Sequence, residues 1–244
     1  MDESLKTYFQ LVFEDYSNDD LLLQLHNPLR EYDNELIDGT IVDVGCGQSA
    51  VLLDYATTKR KLIGIDSEQF QLDFLKKRVA LEPEATLQNW SFLKQEFPRN
   101  GLPKEDYAAV IFSDLLHFFT IEECAHIAHL VTNCTKTGCI IFVKVHSYRH
   151  PGYNEISDEN NDYFKHFFTV ADLDRVFTDE FYERIYSAEI EKLPSKEERN
   201  LQEKWIKRLY KAVGVTDKKL IEEEVNRQRA NDREAQIIAL FRRK

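Results

Sequence analysis

The stretch Thr40-Ile41-Val42-Asp43-Val44-Gly45-Cys46-Gly47-Gln48 constrains the fold more than any other part of the chain. Thr40, Ile41, Val42 and Val44 are β-branched and predict a buried strand. Gly45 and Gly47 then demand a tight turn, and Ser49 to Thr57 reads as a helix. Glycines here leave the main chain open to close approach, and a helix start offers unpaired N–H donors at the positive end of its dipole. A second strand, Lys61 to Asp66, ends in an acid 21 residues after Gly45. Both features fall at the carboxyl edge of a parallel sheet, where open α/β sheets bind ligands.

The same alternation continues. Ser67 is a candidate cap for a helix running to about Leu81, with Pro83 after it. A weaker strand is expected over Ala85 to Asn89 and a strong one over Tyr107 to Ser113. Thr120-Ile121-Glu122-Glu123 is a capping box for a helix to about Thr135, and Cys139 to Val145 is a further strand. A loop rich in His, Tyr and Asn follows, His146 to Tyr163, then a short helix, Thr169 to Phe177. Glu183 to Ile190 alternates as an amphipathic strand, and Gln236 to Phe241 is a last apolar one. This pattern predicts a Rossmann-like α/β fold: a mostly parallel sheet with right-handed crossovers and helices on both faces. The apolar strand at the end of the series suggests closure by an antiparallel hairpin.

Two helical segments flank this core. Residues 1–38 hold ten acids and two bases. Leu5, Tyr8, Phe9, Val12, Phe13 and Tyr16 recur at helical spacing, and the run Leu21–Leu25 continues to Leu29, Tyr32 and Leu36. Two amphipathic helices are expected there, the second started or bent by Pro28. We divide the chain into this segment, as a lid or cover over residues 1–38, and a domain over 39–244 with a helical insertion at 194–234. The insertion's residues 196–234 carry 11 bases and 9 acids, as a solvated cover or a homodimer surface does.

Charge and cysteine usage exclude several classes. The 244 residues carry 32 Lys+Arg against 43 Asp+Glu, a net charge of −11. Bulk nucleic-acid binding needs a basic footprint and is disfavoured. Cys46, Cys124, Cys134 and Cys139 form no C-x-x-C pair, so reduced thiols in a cytoplasmic protein are expected. The histidines lack a carboxylate partner at ligand spacing, and no metal is expected. The acidic start, Met1-Asp2-Glu3-Ser4, predicts no signal peptide, and no apolar run approaches a membrane span.

Read as Gly45-x-Gly47-x-x-Ala50 with Asp66 downstream, the turn also fits the dinucleotide fingerprint, so a nicotinamide- or flavin-dependent oxidoreductase is one candidate. Asp43, two residues before the first glycine, would set negative charge beside a pyrophosphate. A ligand carrying an ammonium and a sulfonium would instead welcome it.

Ile41-Val-Asp-Val-Gly-Cys-Gly, the strand end Gly64-Ile65-Asp66-Ser67, and Ile111-Phe-Ser-Asp-Leu-Leu-His-Phe together resemble the class I S-adenosylmethionine-dependent methyltransferases, over roughly residues 39–193 plus the last strand. The resemblance implies a seven-stranded sheet whose seventh strand lies antiparallel between the fifth and sixth. It implies S-adenosylmethionine as cofactor, with the turn Asp43, Gly45, Cys46 and Gly47 holding the methionine part and Asp66, beside Ser67, holding the ribose hydroxyls. Asn89 and Trp90 would meet adenine, and Ser113 and Asp114 would lie between cofactor and acceptor. Within the turn the Cys46 thiol itself reads as packing. Ser49 stands where the family has a third glycine. No Asn-Pro-Pro-Tyr or Asp-Pro-Pro-Tyr follows the fourth strand, which argues against amino-methylating DNA and glutamine enzymes.

His117 is the candidate general base should the acceptor be a hydroxyl, and His146, Tyr148, His150 and Tyr153 are candidates for the acceptor edge. Three readings stand on the sequence. One is methyl transfer to a small-molecule acceptor by in-line displacement. Another is a protein- or RNA-directed methyltransferase docking through 196–234. The third is a dinucleotide-dependent oxidoreductase or a non-catalytic cofactor-binding module.

Overall fold

The computed structural model describes residues 3–16, 27–82, 87–151, 153, 164–230 and 233–244. The run Leu21–Leu25, Pro83, and residues 154–163 of the loop after His146 lie outside the described residues. The helices are α1 (Glu3–Tyr16), α2 (Ala50–Leu53), α3 (Gln69–Leu81), α4 (Ile121–Cys134), α5 (Val170–Val176), α6 (Lys196–Ala212) and α7 (Lys218–Ala230). The strands are β1 (Thr40–Val44), β2 (Leu62–Asp66), β3 (Trp90–Lys94), β4 (Tyr107–Ser113), β5 (Ile140–His146), β6 (Tyr182–Lys192) and β7 (Glu234–Arg243). The chain forms two compact units, one of residues 1–22 with 191–234, the other of residues 23–190 with 235–244.

The larger unit holds the sheet, in the order β3-β2-β1-β4-β5-β7-β6. β1 pairs in parallel with β2 and β4, β2 with β3, and β4 with β5. β7 runs antiparallel to β5, with Ile141 opposite Phe241. The chain winds outward from β1 to β3, then restarts at β4 on the other side of β1. The crevice between the carboxyl ends of β1 and β4 is therefore the switch point where such sheets take ligands.

The central strands are buried on both faces, so they read as near-continuous apolar runs. Val42, Val44, Ile63, Ile65, Val110 and Phe112 pack on one face with Ile127 and Val131 of α4 and Leu173 of α5. Ile41, Leu62, Ala109, Ile111 and Phe142 pack on the other with Leu52 and Tyr55 and with Leu72, Leu75 and Val79 of α3. The capping boxes at Thr120 and Thr169 form with both reciprocal bonds in place. Pro28 opens a 3-10 helix, Pro28–Glu35, capped by Asn27, and its Leu29 is fully buried against the sheet.

Three local expectations are corrected. The helix expected over Ser49 to Thr57 is only α2, because Tyr55 N and Ala56 N bond to Leu52 O and Leu53 O and tighten the chain into turns. Ser67 does not cap α3: Glu68 holds the cap position without a side-chain bond, and its N–H donates to the Asp66 carboxylate at 2.8 Å. The third strand is Trp90–Lys94, and Leu87–Asn89 form a 3-10 turn before it, while Ala85 and Thr86 of the expected strand lie outside the described residues.

In the smaller unit, Tyr8, Leu11 and Val12 of α1 pack on Leu201 and Trp205 of α6, with the Tyr8 and Trp205 rings 5.4 Å apart. Across its charged face Arg229 of α7 pairs with Glu203 of α6 at 2.6 Å. Among the described residues no helix is long and apolar enough to cross a membrane.

Candidate functional site

After β1 the chain reverses through Gly45 (φ +66°) and Gly47 (φ +49°), both in the left-handed region that favours glycine. A Cβ on Gly45 would sit 2.7 Å from Leu115 Cδ1, so this glycine is also forced by packing. A Cβ on Gly47 would meet only Gln71 Nε2, at 3.9 Å. Space is thus left in front of the Gly47 backbone. Ser49, at the position of the family's third glycine, also takes a left-handed φ of +27°. Its hydroxyl receives Leu52 N at 3.0 Å, starting α2, and donates to Asp43 Oδ2 at 2.5 Å.

Asp43 is 1% exposed, and its other oxygen, Oδ1, has no hydrogen-bond partner. Burial first, and then the nearby Asp66 and Asp114 carboxylates, push its pKa up to about 8 against the lowering bond from Ser49. Asp66 ends β2. Its Oδ2 accepts from Gly47 N at 2.9 Å and its Oδ1 from Glu68 N, so one carboxylate ties the turns after β1 and β2 together. Burial raises its pKa, and those backbone bonds oppose the rise. Each oxygen keeps a further lone pair for a ligand hydroxyl. Cys46 is buried and packs under Gly64, and burial raises its thiol pKa well above the ordinary value, so it is no nucleophile.

Asn89 and Trp90 do not lie at this edge. The parallel register sets Trp90 opposite Leu62 and brings Lys94 opposite Asp66. Trp90 therefore sits at the amino end of β3, about 13 Å of strand from the carboxyl edge. It is a core residue stacked on Phe92, and Asn89 Nδ2 donates to Thr58 O. The residues actually delivered beside Asp66 are Lys94 and Gln95, the latter donating its N–H to Asp66 O at 3.0 Å.

On the other side of the crevice, Ser113 pairs with Lys144, and Asp114 follows in a left-handed conformation with φ +57°. Lys144 is buried, and its ammonium lies 2.7 Å from Asp114 Oδ2. The Asp114 side chain stays 39% accessible. Despite a desolvation penalty its pKa is lowered, by Lys144 foremost and then His117. His117 is 1% exposed, and burial holds its imidazole down at about 4, with Asp114 opposing. Such a base would take a phenolic proton, of pKa near 10, only at a cost of about 8 kcal/mol. His117 is thus suited to orienting a partner rather than to removing a hydroxyl proton. His146, His150 and Phe164 gather around it, whereas Tyr148 and Tyr153 are exposed.

The sequence reading missed the support beneath the turn. Arg78 of α3 is 6% exposed and donates Nε and Nη2 to Gln48 Oε1 at 3.0 and 2.7 Å. Gln71, also buried, leaves its Oε1 without a partner. The available signal was polar residues seven apart on the stripe of α3 that also carries Leu72, Leu75 and Val79. Among the described residues no group of three or more His, Cys, Asp and Glu could hold a metal.

Comparison with known proteins agrees with this geometry. A family model described as a methyltransferase domain matches residues 41–138. Among solved structures the chain is similar to TehB from Haemophilus influenzae, at 13% identity and a TM-score of 0.60, over 96% of this chain and 66% of that one. It is similar to an S-adenosylmethionine-dependent methyltransferase from Methanosarcina mazei, at 14% identity and a TM-score of 0.60, over 89% and 97% of the two chains. A third is the magnesium protoporphyrin IX methyltransferase of Synechocystis PCC 6803 with bound S-adenosylhomocysteine, at 12% identity and a TM-score of 0.56, over 95% and 84%. No curated protein sequence matches the chain significantly. These likenesses establish the fold, and the family match spans the glycine turn, Asp66 and Asp114. Residues 41–138 thus match a methyltransferase-domain family model, and the chain carries the class I S-adenosylmethionine-dependent methyltransferase fold.

Proposed function

We propose that the chain transfers a methyl group from S-adenosylmethionine to a small-molecule acceptor. The observation that carries the reading is Asp43 Oδ1, a buried carboxylate oxygen without a donor at the foot of a turn whose Gly47 face is open. Asp66 and Asp114 act on the same carboxyl electrostatically, so the crevice is lined by acids. Acids there repel a pyrophosphate and attract a cation, which favours a sulfonium nucleoside with a free ammonium over a dinucleotide.

The residues fit that group. Asp43 would hold the ammonium side, the Gly45–Gly47 backbone the amino-acid part, and Asp66 the ribose hydroxyls. Lys94 and Gln95, in place of Asn89 and Trp90, would border the adenine. When bound, S-adenosylmethionine supplies a methyl already activated by its positive sulfur. The protein's part is alignment, which is worth several kcal/mol in such displacements. Ser113, Asp114 and His117 would orient the acceptor on the β4–β5 side. A small acceptor is favoured over a protein or RNA because the acceptor edge gathers His117, His146 and Phe164, and its buried cation Lys144 is paired with Asp114.

Calorimetry with S-adenosylmethionine, S-adenosylhomocysteine and NAD tests the reading. Micromolar binding of the first two with none of the third is expected. Tight NAD binding with no heat for either nucleoside would refute it.

A further inference from the structure

The carboxyl ends of β4 and β5 carry a cluster that donor binding does not use. The His117 and His146 rings lie 4.1 Å apart, and Phe164 sets its edge against both, at 5.2 and 4.9 Å. Phe118 lies 4.4 Å from His117. The strap bearing Phe164 is fastened to both histidines by main chain: Lys165 N donates to His117 O, and Phe168 N to His146 O, each at 2.9 Å. Within this aromatic enclosure His117 Nδ1, His146 Nδ1 and the neighbouring Asp114 Oδ1 are buried without a hydrogen-bond partner. Native proteins retain few such atoms, and three in one cluster call for a partner or a catalytic role.

Charge and acidity narrow what that ligand is. Lys144 is neutralised by Asp114, and burial keeps both imidazoles uncharged at neutral pH. A phosphate or carboxylate acceptor finds no net positive charge here. A hydroxyl acceptor must lose a proton, and His117, at about 4, is about a millionfold too weak a base for a phenol. A ring nitrogen with a free lone pair needs no base.

We propose that this cluster is the acceptor subsite and that it takes a flat, uncharged nitrogen heterocycle, laid against the stacked pair of Phe118 and Phe164, whose centroids are 5.7 Å apart, with a ring N–H on Asp114 Oδ1. The inference rests on the methyltransferase reading. The nitrogen lone pair forms the N–CH3 bond as the S–CH3 bond breaks and its electron pair stays with sulfur. No proton moves in that step, and the positive charge passes to the ring, beside the Asp114 carboxylate.

Benzimidazole is a suitable probe, being flat, neutral at neutral pH and furnished with both a ring N–H and a lone-pair nitrogen. Calorimetry on the full chain saturated with S-adenosylhomocysteine should show it binding. Phe164→Ala should weaken that binding about tenfold while S-adenosylhomocysteine affinity stays unchanged; should this variant misfold, Phe164→Leu keeps the volume and loses the ring. With S-adenosylmethionine, mass spectrometry should find N-methylbenzimidazole. If S-adenosylhomocysteine binds but benzimidazole gives no heat, or 2-naphthol or benzoate is methylated instead, the proposal is overturned and the methyltransferase reading survives. Absence of S-adenosylhomocysteine heat would overturn both.

Discussion

Replacing Asp43 with asparagine isolates the electrostatics of the crevice. In the folded protein its carboxyl is pushed up to about 8 from 3.8, foremost by burial. Between these values the folded chain keeps a proton that the unfolded chain has lost. Stability from this group is full below the unfolded pKa and falls as pH rises, by about 1.36 kcal/mol per unit, until it is lost through the folded pKa. From pH 5 to 7 the wild type should therefore lose about 2.7 kcal/mol relative to Asp43→Asn. Asp66 shifts in the same direction and Asp114, His117 and His146 in the opposite one; all are present in both proteins, and the coupling of Asp66 and Asp114 to Asp43 is a smaller cause than burial. Asparagine can still accept from Ser49, so the turn should persist. Urea unfolding of the ligand-free proteins at pH 5, 6 and 7 measures the effect. The same carboxyl predicts that S-adenosylhomocysteine, which carries an ammonium, displaces the proton on binding. Calorimetry in two buffers of different ionisation enthalpy should then report release of up to one proton for wild type and none for the variant. Parallel stability curves for the two proteins would refute a neutral, buried Asp43.

Four further outcomes follow from the structure. Asp66→Ala removes the acceptor for Gly47 N and Glu68 N and should weaken S-adenosylhomocysteine binding by about 1–3 kcal/mol in calorimetry. Arg78→Leu leaves Gln48 Oε1 without its forked donor and should cost about 1–3 kcal/mol in urea unfolding, with KM for the donor rising more than kcat falls. His117, lowered to about 4, contributes stability present above its unfolded pKa of 6.5 and lost as pH falls toward 4; His117→Gln should flatten that acid limb of the unfolding curve. In the smaller unit, Trp205→Ala removes the ring packed on Tyr8 and should speed proteolysis within residues 1–22, without altering the donor affinity of the sheet unit.

Much of the fold was legible because its signals are local. Apolar β-branched runs mark β1, β2, β4 and β5, and Thr120 with Glu123 announces α4 through reciprocal bonds only a few residues long. Gly45, Gly47 and Asp66 were legible as a group because chain reversal needs the glycines and the spacing needs one helix between two strands. Trp90 was misplaced for the opposite reason. Ala85–Asn89 and Trp90–Lys94 both admit a strand, and the choice depends on pairing with β2, whose register is a contact between distant residues. One strand length of error moved Asn89 and Trp90 from the far end of β3 to the ligand edge.

From the sequence alone came the order of elements, the acid-flanked glycine turn and its family resemblance, since each is written in residues near one another along the chain. Only tertiary structure decided that burial raises the Asp43 pKa, that Arg78 underpins Gln48, and that His117 and His146 face each other beside the Lys144–Asp114 pair. Burial and charge proximity arise from the packing of separate strands and helices. The protonation state of a carboxyl or an imidazole is therefore a property of the folded crevice, not of its place in the chain.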